Sequence, residues 1–431
     1  MKFDFAVVAV GSTGDIRPLA AIAKGLQKAG YSIRFISHEN FRSLAEDLDL
    51  PFFPIAGDYR KFLQSPAGIK VIKGEVPPWD EPPQIKKERT RQLEQTLAAA
   101  EGARAVIVGP LSMWASNITE RLGLPIIVAS YFPLQRTVYF PILQFGKGVD
   151  LTLNPVKKWA NGASYSLVSM LKRLSDRKTI NSFRQSIGLK NRPIVQRYDP
   201  EVAKMVLILN QYSECVVPSP PDWENAQYQV ETVGYCFLDD DRQYEPPQSL
   251  VDFINRDQRP VISLGFGSMP IGKPAETYEL ISEAIGKAQV RCVFIPGWND
   301  DQGSELFAQN SDIYLENQAP YRWLFPRMNA VVHHCGAGTA AASIRAGVPV
   351  VPVPFFGDQP AWGERLYELG MAAEPIAAKV LSAERLAMAI GQVVGSEEMV
   401  KRAKVLSGDV NGEDGVGRAV KSIDRFLGTC G

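Results

Sequence analysis

One local pattern recurs along most of this chain: a short β-branched run, a turn containing glycine, then a stretch with helical spacing of apolar residues. In the first 130 residues the runs are FDFAVVAV, YSIRFIS, PFFPIA, ARAVIVG and PIIVAS, with helical stretches near RPLAAIAKGLQKAG and ENFRSLAEDL. Continuously apolar strands that alternate with helices predict a parallel sheet covered on both faces, because each parallel strand needs a crossover before the next. A proline-rich stretch that includes VVPSPPDW and YCFLDDDRQYEPPQ interrupts the pattern around 217–248. Alternation then resumes with RPVISLGFGS, a helix near 275–287, RCVFIPG, AVVHHCG, VPVVPVPFF and QPAWGERLYELG. The expectation is an α/β chain of two doubly wound domains, 1–216 and 249–431, joined by a linker at 217–248. The cleft between them is then lined by the carboxyl ends of the strands.

The segment AVVHHCGAGTAAASIRAG carries the densest chemistry. Successive side chains on a strand point to opposite faces, so His333 and His334 cannot grip one ion together. His38 is the only other histidine among three, and the five cysteines show no C-x-x-C spacing, which leaves zinc without ligands. The run passes instead into Gly336-Ala337-Gly338-Thr339 and an alanine-rich helix that stops at Gly347. A helix end of that kind offers N–H groups and the positive end of a dipole, so it suits a diphosphate without a cation. An ordinary βα turn is the other reading the loop allows.

Three further places face the expected cleft. Gly-Ser-Thr-Gly-Asp follows the first strand, with Asp15 placed either as a helix cap or as a group for chemistry. This loop lacks the third glycine of a dinucleotide fingerprint, which keeps a nicotinamide enzyme as a runner-up only. Asp358 and Gln359 end another strand just before Pro360, where a carboxylate and an amide suit a polyhydroxylated ligand or simply cap a helix. SLGFGS adds Ser268, whose hydroxyl can meet a phosphate oxygen. The triplet Asp239 to Asp241 reads either as a solvated acidic turn or as a Mg²⁺ or Mn²⁺ holder.

The N-terminal apolar run is short and broken by Asp4, and nothing approaches the roughly 18 apolar residues of a membrane span, so a cytoplasmic protein with free thiols is expected. The net charge of zero hides an asymmetry: residues 1–215 hold 29 Lys and Arg against 19 Asp and Glu, and residues 216–431 hold 18 against 28. Within the basic half, WANGASYSLVSMLKRLSDRK sets Ala163, Leu167, Met170, Leu171 and Leu174 on one helical stripe with Lys172, Arg173, Arg177 and Lys178 at its end. Such a helix either faces the core or lies over an acceptor pocket and rests on an anionic bilayer.

Taken in order and spacing, GSTGDIRP, PSPPDW, VGYCFLD, GFGS, APYRWLFPR and HHCGAGTAAASIRAGVPVVPVPFFGDQPAWGERL resemble the nucleotide-sugar-dependent glycosyltransferases of the GT-B fold, and most closely the sterol 3β-glucosyltransferases. The likeness covers nearly the whole chain, and 319–366 is its specific block. It implies two Rossmann-like domains, the first for acceptor and the second for nucleotide sugar. It implies that His334 contacts the diphosphate, that Ala337, Gly338 and Thr339 form the phosphate loop, and that Asp358 and Gln359 hold sugar hydroxyls. Gln318 and Ala319 would form the wall against the base. Ser12, Thr13 and Asp15 would close on donor and acceptor, with Asp15 where plant relatives carry a catalytic histidine. Cys335 stands where sterol enzymes usually show glycine and plant relatives show cysteine. The implied activity is inverting transfer of glucose from UDP-glucose to a hydroxyl of a lipophilic alcohol. Asp15 would be the general base, with His38 as the other candidate, and neither a metal nor a further cofactor is needed. Gln359 matches the residue that accompanies glucose rather than galactose. The implied partners are a UDP-sugar and the alcohol, with no nucleic acid; a peripheral membrane contact is the expectation of the basic helix alone. A nucleotide-sugar epimerase and a silent lipid binder are the competing readings.

Overall fold

The computed structural model describes residues 2–76, 83–194, 203–239, 244–269, 274–297, 307, 310–317 and 319–430. The first sheet contains β1 (Phe3–Val8), β2 (Ile33–His38), β3 (Phe52–Ile55), β4 (Ala103–Val108), β5 (Ile126–Ser130), β6 (Val206–Asn210) and β7 (Gln229–Thr232). Their order is β3-β2-β1-β4-β5-β6-β7, every neighbouring pair parallel. The second contains β8 (Val261–Gly265), β9 (Arg291–Ile295), β10 (Ile313–Leu315), β11 (Ala330–His333) and β12 (Val350–Pro352), in the parallel order β10-β9-β8-β11-β12. Strand order reverses between β1 and β4 and again between β8 and β11, and a crevice outside the carboxyl ends opens at each reversal. The loops carrying Asp15, Ser268 and His334 all leave strands at these two points.

The β-branched runs build the sheets by burying both faces. Phe5 and Val7 join Ile107 and Leu209 in one core layer, while Ala6 and Val8 join Val106 and Val128 in the other. That alternation is the period of a strand expressed as packing. The second sheet is treated the same way, with Val331 and Val350 on one side and Val332 and Val351 on the other.

Two segments cross the boundaries expected from sequence. β7, expected within the linker, is the edge strand of the first sheet. The last helix, Gly415–Thr429, returns to the first domain, where Ala419, Ile423 and Phe426 pack in the layer of Phe5 and Ile22. Val416 of that helix lies so close to Gly25 that a methyl group there would stand 2.4 Å from Cγ1. An amphipathic helix declares that it covers a sheet but not which one. The domains also share an aromatic joint. Trp362 is fully buried and meets Phe145 edge-on at 4.8 Å and Tyr212 at 6.2 Å, while Arg365 Nε donates to the Val216 carbonyl at 2.5 Å.

The helix Pro155–Ser175 starts at an Asn154 cap whose side chain accepts from Lys157 N–H at 2.9 Å, with Pro155 at the first position, where no N–H is needed. Gly162 and Tyr165 form its buried face. Its apolar row points outward, with Val156 73 %, Trp159 74 %, Leu167 53 % and Leu174 45 % exposed. The core-facing reading of this helix is therefore corrected. Among the described residues no helix is long and apolar enough to cross a membrane.

Candidate active site

The site is built from two strand–loop–helix units that meet head to head. After β11, Gly336 has φ −59° and ψ 142°, leaves the strand and caps the helix Ala337–Ala346; Thr339 N–H and Ala340 N–H both donate to its carbonyl at 2.9 Å. After β1, Ser12 caps the helix Thr13–Lys28. These two helix ends face each other across the cleft. A methyl group on Gly338 would stand 3.7 Å from Gly14 Cα and 3.8 Å from its carbonyl oxygen. At those distances the two helix ends are in van der Waals contact, and the residues of both line the cleft beside it, where two positive dipole ends suit a diphosphate.

His334 lines that cleft, and the histidine pair splits as the strand period requires. His333 turns inward: its Nδ1 accepts the Cys335 N–H at 3.0 Å, so Nε2 carries the proton toward Ser343 Oγ at 3.3 Å. Its role is structural. Cys335 takes the left-handed conformation, φ 61°, to make that turn, and its side chain is buried. The His334 ring is 7 % exposed, and its Nδ1 has no hydrogen-bond partner among the described residues. Two glycines frame the ring. A methyl group on Gly267 would reach Cε1 at 2.8 Å, and one on Gly336 would reach Nε2 at 2.5 Å. Burial pushes the His334 imidazole down to about 4, so it meets an anion as a neutral N–H donor rather than as a cation.

On the opposite wall Asp15 occupies the third position of its helix. Its Oδ2 accepts from Ser12 N–H at 2.6 Å and Ser12 Oγ–H at 2.8 Å, which closes the helix cap. The remaining oxygen, Oδ1, accepts from the Tyr131 hydroxyl. Burial raises the Asp15 carboxyl above the ordinary range, against the opposing hydrogen bonds of Tyr131 and Ser12. Tyr131 stays protonated, because burial and then the charges of Asp15 and Asp358 lift its phenol well above normal. No sequence motif marks Tyr131; its only signal is its place at the carboxyl end of β5, one strand beyond β4.

Asp358 faces Asp15 closely enough to feel its charge. Burial first, and Asp15 second, push its carboxyl up to about 7, while Trp362 Nε1–H donates to its Oδ2 at 3.0 Å. Gln359 turns into its own loop: Oε1 accepts from Phe355 N–H at 2.9 Å and Phe356 N–H at 3.4 Å. Among the described residues its Nε2 meets only the weak acceptor Met269 sulfur at 3.3 Å, so the amide nitrogen is the end with donor capacity left for a ligand. Ser268 and Thr13 line the same cleft, as do Ala337, Thr339 and Ala319. Gln318 lies outside the described residues.

Two sequence alternatives have other surroundings. His38 is buried at the end of β2 and lines the same cleft; the charged groups acting on it include Asp58 and Arg89, carbonyls of Ile55 and Ala56 lie beside it, and its Nδ1 has no hydrogen-bond partner among the described residues. Asp239 is held by Arg345 through two bonds of 2.7 and 3.0 Å and by Arg322 at 3.4 Å, which ties the linker to the phosphate-loop helix; Asp240 and Asp241 lie outside the described residues. The cleft measures about 4110 Å³, whereas a small-ligand site needs roughly 300–1,000 Å³. The cleft has room for more than one ligand of ordinary size.

The chain's residues 5–141 match the glycosyltransferase family 28 N-terminal domain, and residues 293–414 match the erythromycin biosynthesis protein CIII-like C-terminal domain. It is similar to the sterol 3-beta-glucosyltransferase UGT80B1 of Arabidopsis thaliana, 33 % identical over 99 % of this chain and 68 % of that one. The sterol 3-beta-glucosyltransferase of Pichia angusta is 28 % identical over 98 % of this chain, which spans 33 % of that longer protein. Among solved structures, the glycotransferase of kitacinnamycin superposes with a TM-score of 0.70 at 17 % identity, covering 99 % of this chain and 100 % of the other. VinC in complex with DTDP gives 0.67 at 16 %, covering 99 % of each. The fold is thereby that of GT-B enzymes.

Proposed function

The chain belongs to the sterol 3β-glucosyltransferase family of GT-B glycosyltransferases, and on that premise we propose that it moves glucose, with inversion, from UDP-glucose to a hydroxyl of a lipophilic alcohol. The observation that carries this reading is the position of Asp15 in the cleft lining, with Oδ2 fixed by Ser12 and Oδ1 on the Tyr131 hydroxyl, at the point where two helix ends converge and opposite Asp358. In the reaction the acceptor oxygen attacks the anomeric carbon and its proton passes to Asp15 Oδ1. The bond from that carbon to the diphosphate breaks on the far side, and the leaving group takes the electron pair. Both helix ends and the neutral His334 N–H stabilise the charge that develops there. Burial makes Asp15 a stronger base than a free carboxylate, and the Ser12 bonds fix its orientation. Asp358 and the Gln359 amide hold sugar hydroxyls, with glucose preferred.

The diphosphate is held without metal, because N–H groups of two helices supply what a cation would and Asp239 is already committed to Arg345. We place the protein in the cytoplasm at a membrane surface, where its alcohol resides. Product mass spectrometry with UDP-[¹³C]glucose and a panel of lipid and natural-product alcohols tests the reading. A hexosylated alcohol is expected, with UDP-glucose outcompeting UDP-galactose. Asp15→Asn should lower turnover on the order of 10²–10⁴-fold at nearly unchanged UDP affinity, with His38→Ala close to normal. Conversion of the UDP-sugar with no acceptor present, or full turnover by Asp15→Asn, would overturn it.

A further inference from the structure

We propose that the outward apolar row of the helix Pro155–Ser175 is a docking surface for an anionic lipid bilayer, set at the mouth of the cleft so that a lipophilic acceptor passes directly inward. Its purpose rests on the lipophilic acceptor proposed above, but the binding itself does not.

Val156, Trp159, Ala163, Leu167, Met170 and Leu174 recur at three- and four-residue spacing, so they form one stripe along a 21-residue helix. Core helices turn such a stripe inward. Here Val156 and Trp159 are 73 % and 74 % exposed, and Leu151, just before the helix, is 65 % exposed. Leaving an indole and three aliphatic side chains in water forfeits burial that is worth roughly 1.5–3 kcal/mol for each such side chain. The protein side of the helix is held by Gly162, whose backbone carbonyl accepts Arg136 Nε–H at 3.2 Å, and by buried Tyr165.

Charge selects the occupant. Between Leu151 and Ile194 there are nine Lys and Arg residues and one carboxylate, Asp176; Arg192 holds that carboxylate at 2.5 Å and buried Arg184 pairs with Glu120 at 2.7 Å, which leaves seven other cations. Lys157, Arg177 and Lys178 are exposed beside the row. Asp150, at its near end, keeps its carboxylate on Thr152 N–H and Oγ–H at 2.8 and 2.6 Å. An apolar row edged by cations, with tryptophan near one end, matches a helix lying in the headgroup plane of an anionic membrane. Leu167 and Met170 also line the cleft whose wall includes Tyr131 and Asp15, so the row reaches that cleft.

The test is sedimentation of the full chain with vesicles of phosphatidylcholine alone or mixed with phosphatidylglycerol. Binding should appear with the anionic mixture and fade as salt rises. Val156→Asp/Trp159→Asp should stay in the supernatant while its UDP affinity matches the parent, which shows that it has folded. Lys157→Gln/Arg177→Gln/Lys178→Gln should bind anionic vesicles on the order of a hundredfold more weakly, at about fivefold per cation. Three results would overturn the proposal: a parent chain left in the supernatant at low salt, a Val156→Asp/Trp159→Asp variant that sediments like the parent, or a lipid-free dimer that this variant dissolves. A chain that binds vesicles and transfers no sugar would sink the transferase reading and leave the surface standing.

Discussion

Asp358 and Asp15 are two partly buried carboxyls placed within each other's field, which costs stability whenever both are ionised. For Asp358 the sign follows from its folded value of about 7 against an ordinary 3.8. Between those values the folded chain binds more protons than the unfolded one, so this group's contribution to stability falls as pH rises from about 4 to about 7. Asp358→Asn removes the charge and keeps an oxygen for the Trp362 N–H. Thermal melts without ligand should therefore show the variant above the parent by on the order of a few degrees at pH 8 and level with it at pH 4. A gain of the same size at both pH values would mean that the charge is not what the site strains against. Single side chains are also where the sequence spoke unevenly. Asp15, His334 and Asp358 stood out because each follows a strand next to a turn signal, whereas Tyr131 has the same kind of position with no motif around it. Gln359 was placed correctly in the chain, but nothing in its neighbours foretold that its carbonyl oxygen would be spent on Phe355 and Phe356.

At the level of elements, the alternation of β-branched runs and helices was legible because parallel strands buried on both faces leave no polar positions to blur it. What escaped was assignment among sheets. β7 is a four-residue edge strand among prolines, and the helix Gly415–Thr429 carries an apolar face that fits either domain. The phosphate-side unit depends on two glycines more than on its helix propensity. Gly336 has an ordinary φ of −59°, so alanine is conformationally tolerated there, yet its methyl group would press the His334 ring at 2.5 Å. Gly336→Ala should therefore weaken UDP binding by about tenfold or more in calorimetry, with far-UV dichroism and melting little changed. His334→Ala should weaken it similarly, and excess EDTA should have no effect on the parent. If EDTA abolishes binding, a metal carries the diphosphate and the helix-end account fails. If Gly336→Ala binds as tightly as the parent, His334 is not a contact.

The whole molecule is asymmetric in a way that bears on motion. The domains are joined by the Phe145, Trp362 and Tyr212 joint, which reaches the cleft through the Trp362 bond to Asp358, and by Arg365 on Val216. Within the cleft two helix N-termini touch at Gly14 and Gly338, and there their positive dipole ends repel. A hinge that is apolar and a mouth that is self-repelling favour opening at the mouth when no anion is present. The basic first half and acidic second half attract one another overall, but salt screens that attraction beyond about 10 Å. On the proposed function a diphosphate held at both helix ends would convert the repulsion into two favourable interactions, which base and ribose alone would not. UDP should therefore reduce the radius of gyration in small-angle scattering, whereas uridine at matched occupancy should leave it unchanged. At a hundredfold excess over its dissociation constant UDP should also stabilise the chain by about 2.7 kcal/mol. Equal compaction by uridine would locate closure in base contacts instead, and no compaction by UDP would mean that the two helix ends already stand at their working distance.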